Sequence, residues 1–191
     1  MDRMPETSSA TPDGFVVWLE GIPCSGKTTA ARSVAERLRS TGWKVEILDG
    51  DEVREMFSAD LGFSRKDRDL HARRVSHVAR MLARNGVAVL VALITPYEMT
   101  RQTARSIIGD RFTEVWLRCP VEVCRQRDPK GLYKGSNALR GSQLTGVDDP
   151  FEEPLNPDLI VDTATESVPE ETWKILEHLA QRGFARRILA T

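Results

Sequence analysis

Two groups of residues in this 191-residue chain have the types and spacing to do chemistry, and the first is Gly21-Ile22-Pro23-Cys24-Ser25-Gly26-Lys27-Thr28-Thr29. Glycine, four residues, glycine, lysine, threonine is the spacing of a loop whose backbone N–H groups turn inward around phosphate. Lys27 is then predicted to reach the β and γ oxygens of a nucleoside triphosphate, with the Thr28 hydroxyl placed for Mg2+. Gly21, Cys24, Ser25, Gly26, Lys27, Thr28 and Thr29 are the predicted ATP-binding residues. The motif has meaning only between a strand and a helix. Phe15-Val16-Val17-Trp18-Leu19 reads as that strand and Ala30 to Leu38 as that helix, whose positive end adds to the anion site.

The second group is Asp49-Gly50-Asp51, directly after the strand-like run Val45-Glu46-Ile47-Leu48. Carboxylates beyond the carboxyl end of a strand lie where open parallel sheets bind ligands. One carboxylate of the pair is predicted to assist Mg2+ and the other to orient an acceptor hydroxyl. An acidic turn that caps the next helix is the alternative. Arg54 and Arg68 stand as functional candidates or as solvated helix charge. A phosphate loop serves GTPases, ATPases and small-molecule kinases alike, and the Asn-Lys-x-Asp stretch of switch GTPases is absent. Phosphoryl transfer is mainly positioning and charge neutralisation, so a cation cradle, a metal and an aligned acceptor suffice.

The elements that must position these groups follow from composition and periodicity. With 40% hydrophobic residues the chain suits one well-buried domain, and 27 basic against 28 acidic residues leave no global field for nucleic acid or an anionic membrane. Three cysteines without metal-ligand spacing, no apolar run near the roughly 20 residues of a membrane span, and no signal-peptide core point to a soluble cytoplasmic protein. Residues 1–13 read as a disordered lead-in and 14–191 as a single kinase-like domain. A helix is expected between Arg65 and Asn85, with His71, Val75, Val78 and Leu82 as its inward stripe; Arg68 and His71 share a face at its start. Val87 to Ile94 reads as a strand buried on both sides. A helix from Glu98 to Ile108, a strand Thr113–Leu117, a helical Val121–Asp128, a short strand Leu159–Val161 and a closing helix with Val168, Thr172, Ile175, Leu176 and Leu179 inward complete the alternation. The polar stretch of about 128–157 is long enough to be a lid or binding loop. The expected fold class is α/β: a P-loop kinase-like three-layer sandwich with a mostly parallel central sheet and a lid segment.

Six further phrases carry a family resemblance: Leu48-Asp49-Gly50-Asp51-Glu52-Val53-Arg54; Leu61-Gly62-Phe63-Ser64 with Asp67-Arg68; Arg73-Arg74; Ile94-Thr95-Pro96-Tyr97; Arg127 to Lys134; and Thr145 to Glu152. With the phosphate loop they resemble the adenylylsulfate (APS) kinase family over about residues 15–163, in its order and near its spacing. The resemblance implies transfer of the ATP γ-phosphoryl group to the 3′-hydroxyl of adenosine 5′-phosphosulfate, giving PAPS, with Mg2+ as cofactor. It implies Asp51, Lys27, Asp49 and Lys130 as catalytic residues, with Asp51 at the acceptor hydroxyl as base or orienter and Asp49 supporting the metal–nucleotide complex directly or through water. Arg54 and Arg68 would grip the phosphosulfate, Phe63 would stack on the acceptor adenine, and Ile94 and Thr95 would line the pocket. Lys130 would contact substrate from the lid, an exposed loop lysine being the alternative. A homodimer, and functional association with an ATP sulfurylase, are likewise implied.

Departures from the family pattern fall on the acceptor side. The usual Asn is His71, either a substrate contact or a structural histidine; the serine of Ile-Ser-Pro is Thr95. The arginine after Ile-Ser-Pro-Tyr is Glu98, which reverses a charge expected near the pocket. The aromatic before Thr-Gly is Leu144, a loss of one stacking face on the order of 1 kcal/mol or more. Two other readings follow from these departures: a related kinase for a different nucleotide-linked or small hydroxyl acceptor, and a nucleotide-binding regulatory domain without turnover.

Overall fold

The computed structural model describes residues 14–129, 131–133, 145–146 and 149–184. Five strands, β1 (Val16–Glu20), β2 (Lys44–Asp49), β3 (Val87–Ala92), β4 (Phe112–Arg118) and β5 (Leu159–Asp162), form one sheet in the order β2-β3-β1-β4-β5. Every pairing is parallel, so the sheet is more regular than the mostly parallel one expected. Among the described residues six α-helices flank the sheet, five between strands and the last after β5: α1 (Lys27–Ser40), α2 (Gly50–Phe57), α3 (Arg65–Ala83), α4 (Glu98–Ile108), α5 (Val121–Arg127) and α6 (Val168–Gln181). None of them is long and apolar enough to cross a membrane.

Side chains of a strand alternate between faces, and β1 shows the consequence at the centre of the sheet. Phe15, Val17 and Leu19 pack with Ala30, Val34, Leu38, Ile175 and Leu179 under α1 and α6. Val16 and Trp18 point the other way, into a second core with Val75, Ala79, Ala104 and Phe112 under α3 and α4. By the same parity Glu20 falls on the α4 side, fully buried, where Arg101 meets it. The chain leaves β1 towards β2 on one side and later crosses to β4 on the other. The loop after β1 therefore opens at the point where strand order reverses, the crevice that such sheets use for ligands.

Local signals account for the helix bounds. The Ser64 side chain caps α3 by accepting from the Asp67 N–H at 3.2 Å, and the Glu170 carboxylate accepts from the Ser167 N–H at 2.7 Å in a capping box on α6. Four details differ from the sequence reading. Helix α2 has no bounds in the sequence reading beyond its place after the acidic turn, because its sole buried residue is Val53 and one apolar position makes no period. The buried face of α3 centres on Ala72, Val75, Ser76, Ala79 and Ala83, with Val78 and Leu82 at its flank; small residues, not the largest apolar ones, meet α4 and the sheet. Strand β3 ends at Ala92, leaving Leu93 and Ile94 to turn into the crevice. Val168, expected inward, is 37% exposed at the start of α6 and borders the ligand cavity. The lead-in 1–13 and much of the expected lid, with the candidates Lys130 and Leu144, lie outside the described residues.

Candidate active site

The phosphate loop is shaped by backbone that few side chains allow. A Cβ on Gly21 would stand 2.6 Å from Ser25 Oγ and 2.7 Å from the Leu117 carbonyl, so glycine alone fits between the loop and β4. Gly26 sits at φ 100° as the residue before α1, and Cys24 takes a positive φ of 63° despite its side chain. Left-handed backbone costs an L-residue ~1–2 kcal/mol, a strain that concentrates where backbone must face a ligand.

Lys27 is folded back onto this loop. Its Nζ donates to the carbonyls of Gly21 and Ile22, both at 2.8 Å, and lies 3.5 Å from Ser25 Oγ. Burial pushes its pKa down to about 8, because an ammonium out of water without an anion is unfavourable. Next to it the Thr28 hydroxyl donates to Asp49 Oδ2 at 2.7 Å, and Asp49 Oδ1 accepts from the Asp51 N–H at 3.2 Å. Asp49 thus caps α2, as the turn alternative has it, while its other oxygen meets the first turn of α1 beside the phosphate loop. The cap starts α2 so that Asp51, Arg54 and Glu55 border the same cavity.

That cavity, of about 1060 Å3, runs continuously from the phosphate loop to α3. One drug-sized ligand occupies about 300–1,000 Å3, so this volume is at or above the top of the range for a single molecule. At its α2/α3 end stand Arg54, Phe63, Arg68, His71, Leu93 and Ile94. Phe63 is 48% exposed, with the Arg54 guanidinium 4.7 Å and that of Arg68 5.6 Å from its ring centre. The turn that carries Phe63 holds both arginines: Arg54 Nη1 donates to the Gly62 carbonyl at 3.0 Å and Arg68 Nε to the Phe63 carbonyl at 3.0 Å. Asp149 Oδ2 adds an ion-pair partner 3.7 Å from Arg68 Nε. Two guanidinium groups and an exposed aromatic face make a receptor for a flat anionic molecule.

At the other end lie Arg32, Arg127, Pro129, Leu132, Thr163, Val168 and Glu171, residues that sequence reasoning did not single out for this role. Arg127 Nη1 donates to Thr163 Oγ1 at 3.3 Å and Nη2 to the Thr163 carbonyl, which fixes the guanidinium plane at the cavity edge. The signal available was the phrase Arg127-Asp128-Pro129, whose role lay in a partner 36 residues on. Tyr133 ties the segment after α5 to the phosphate loop by donating to the Pro23 carbonyl at 2.9 Å.

Two candidates sit away from the cavity wall. Thr95 is 1% exposed, and its hydroxyl accepts from Trp18 Nε1 at 2.9 Å, so it braces the sheet behind Ile94. Glu98 turns from the cavity to Arg101, whose Nη2 donates to Glu98 Oε2 at 2.6 Å. Arg101 is fully buried, its Nε 3.4 Å from both Glu20 and Glu114, and its Nη1 donates to the Thr95 carbonyl at 2.9 Å. Burial raises the Glu20 pKa well above the ordinary carboxylate range, against the pull of Arg101. The charge reversal at position 98 therefore feeds an internal network.

Comparison with known proteins decides among the kinases that share this architecture. The sequence profile described as Adenylylsulphate kinase matches residues 13–162. The chain belongs to the adenylylsulfate kinase family. The adenylyl-sulfate kinase of Halothermothrix orenii is 46% identical over 171 residues, 90% of this chain and 92% of that protein. A probable bifunctional SAT/APS kinase of Sorangium cellulosum is 43% identical over 91% of this chain, which spans 30% of that longer protein. Among solved structures, the APS kinase of Mycobacterium tuberculosis in complex with AMPPNP and APS superposes with a TM-score of 0.84 at 40% identity, covering 88% of this chain and 99% of that one.

Proposed function

We propose that this protein is an adenylylsulfate kinase, transferring the γ-phosphoryl group of ATP to the 3′-hydroxyl of adenosine 5′-phosphosulfate to give PAPS and ADP. The observation that carries this reading is the single cavity in which Lys27, Asp49 and Asp51 stand between an arginine-edged end at Arg127 and an arginine-flanked aromatic at Phe63. Family membership supports it, as does the likeness to a structure that holds an ATP analogue and APS together.

The chain's residues divide the work as follows. The N–H groups around Cys24, Ser25 and Gly26 take the donor phosphates, and Lys27 leaves the loop carbonyls to meet the β and γ oxygens. Arg127 and Thr163 edge the donor base. Arg54 and Arg68 hold the phosphosulfate while Phe63 stacks on the acceptor base, fixing the 3′-hydroxyl beside Asp51. The hydroxyl oxygen bonds to the γ phosphorus as the bond from that phosphorus to the β,γ-bridging oxygen breaks. Asp51 receives the hydroxyl proton and ADP departs with the bridging oxygen. Low dielectric around fixed cations makes each of these contacts stronger than in water. Lys130 and Leu144, from the lid, belong to the same assignment.

The oxygens of Thr28 and Asp49, within hydrogen-bond distance of each other, are a hard donor pair that suits Mg2+, which binds through one or two carboxylates plus substrate phosphates. Bound there, Mg2+ would neutralise charge on the triphosphate. The protein acts in the cytoplasm, consistent with three free cysteines. A homodimer is expected, to be checked by sedimentation, and the bifunctional relative supports working beside a sulfurylase.

The test is ADP release from purified protein with Mg-ATP, with and without APS, and mass detection of PAPS. APS-dependent ADP and PAPS in equal amounts are expected. Silence with APS but turnover with another hydroxyl compound would replace the acceptor; silence throughout despite nucleotide binding would end the enzymatic reading.

A further inference from the structure

At the acceptor end His71 has one ring nitrogen committed and one open. The residue is 3% exposed and borders the cavity, with Nδ1 2.9 Å from Ser58 Oγ and Nε2 buried without a hydrogen-bond partner among the described residues. A buried N–H or lone pair left without a partner is costly, and His71 borders a cavity whose occupant can supply one.

Ser58 decides which form the ring takes. It is fully buried at the end of α2, and among the described residues His71 is the one hydrogen-bond partner of its hydroxyl. Were Nδ1–H to donate to Oγ, the hydroxyl proton would need another acceptor, and none lies among the described residues. If the hydroxyl donates to Nδ1 instead, both groups are satisfied and the ring proton sits on Nε2. A doubly protonated ring is disfavoured by burial and by the cationic Arg54 and Arg74 that act on it.

We propose that Ser58 and His71 form an acceptor-reading pair, in which the Ser58 hydroxyl fixes the proton on Nε2 and the neutral Nε2–H donates to a phosphosulfate oxygen of the bound acceptor. This rests on the acceptor assignment given under the proposed function. His71 is a substrate-binding residue here, and Ser58 is a positioning residue that acts only through the ring. An amide at position 71 presents its donor on a rotatable group with a carbonyl beside it. The histidine presents one N–H in a fixed direction, with its other nitrogen already occupied.

The experiment is long-range 1H–15N correlation on protein with 15N-labelled histidine, with the resonances of His71 identified among the three histidines by their loss in His71→Asn. The free protein is expected to show His71 as the neutral Nε2–H form, and its Nε2 shift is expected to move on adding APS. In Ser58→Ala the ring is expected to populate both tautomers and the KM for APS to rise about 5- to 10-fold, the scale of one hydrogen bond, with the KM for ATP moving less than about twofold. Ser58→Thr, which keeps the hydroxyl, is expected to restore the single tautomer. A ring protonated on Nδ1 in the free protein overturns the proposal. So does an Nε2 resonance that ignores APS while the enzyme turns APS over, a result that leaves the proposed function standing. Absence of turnover with APS overturns the function first, and the phosphosulfate contact with it.

Discussion

The two ends of the cavity solve anion binding by different means. The phosphate loop is built from backbone: N–H groups aimed by Gly21, Cys24 and Gly26, with Lys27 waiting on its own loop's carbonyls. The acceptor end is built from side chains of α2, α3 and the turn between them, each held by a neighbour: Arg54 by Gly62, Arg68 by Phe63 and Asp149, His71 by Ser58. A backbone site recognises whatever carries phosphates and tolerates little change. A side-chain site can be retuned residue by residue, and of the departures from the family pattern His71 lies at this end, with Thr95 and Glu98 behind it.

This contrast sets the scale of what should break. Lys27→Met removes a buried charge from the reacting phosphates and is expected to lower kcat at least about 1,000-fold, the upper range for deleting one preorganised electrostatic contact. Steady-state ADP release measures it, and a loss under tenfold would show that the loop carries charge without Lys27. Asp51→Asn is expected to cut kcat about 100-fold or more while nucleotide affinity, followed by fluorescence titration, stays within about twofold. Equal turnover in that variant would remove Asp51 from proton transfer. Phe63→Ala belongs to the retunable end. It is expected to raise the KM for APS about tenfold and leave the KM for ATP unmoved, since one aromatic face against a base is worth ~1–3 kcal/mol. A matched rise in both constants would mean that the two ends are not separable.

The same contrast explains what the sequence made legible. Backbone recognition has fixed spacing, so the phosphate loop and its strand and helix were readable from residues 15–38 alone. Helix α4, expected from about Glu98 to Ile108, runs there, with Pro96 ahead of it and Gly109, at φ 76°, ending it. Contacts made only by folding were not. Arg127 and Thr163 lie 36 positions apart, Trp18 and Thr95 lie 77 apart, and no local pattern joins either pair. Helix α3 misled in register because alanines and a serine fill its buried face, where hydropathy alone favours Val78 and Leu82. Glu98 misled by proximity in sequence: Arg101, one turn along α4, draws it into a network with Glu20 and Glu114.

The smallest expected effect tests the resting state of the backbone-built end. With the Lys27 pKa pushed down to about 8, about half of the nucleotide-free molecules carry the ammonium at pH 8. A bound triphosphate stabilises the charged form and raises that pKa, so binding must take up protons: about half a proton at pH 8, towards zero at pH 7, and more at pH 9. The sign follows because the group is charged more fully in the complex than in the free protein, and affinity for ATP accordingly falls as pH rises through 8. Isothermal titration with Mg-ATP at pH 8, in buffers of different ionisation enthalpy, reads the proton number from the slope of heat against that enthalpy. Lys27→Met should flatten the slope in whatever binding survives. A wild-type heat that is the same in every buffer would mean that Lys27 rests fully charged on the Gly21 and Ile22 carbonyls, and that the loop is as ready before the nucleotide arrives as after.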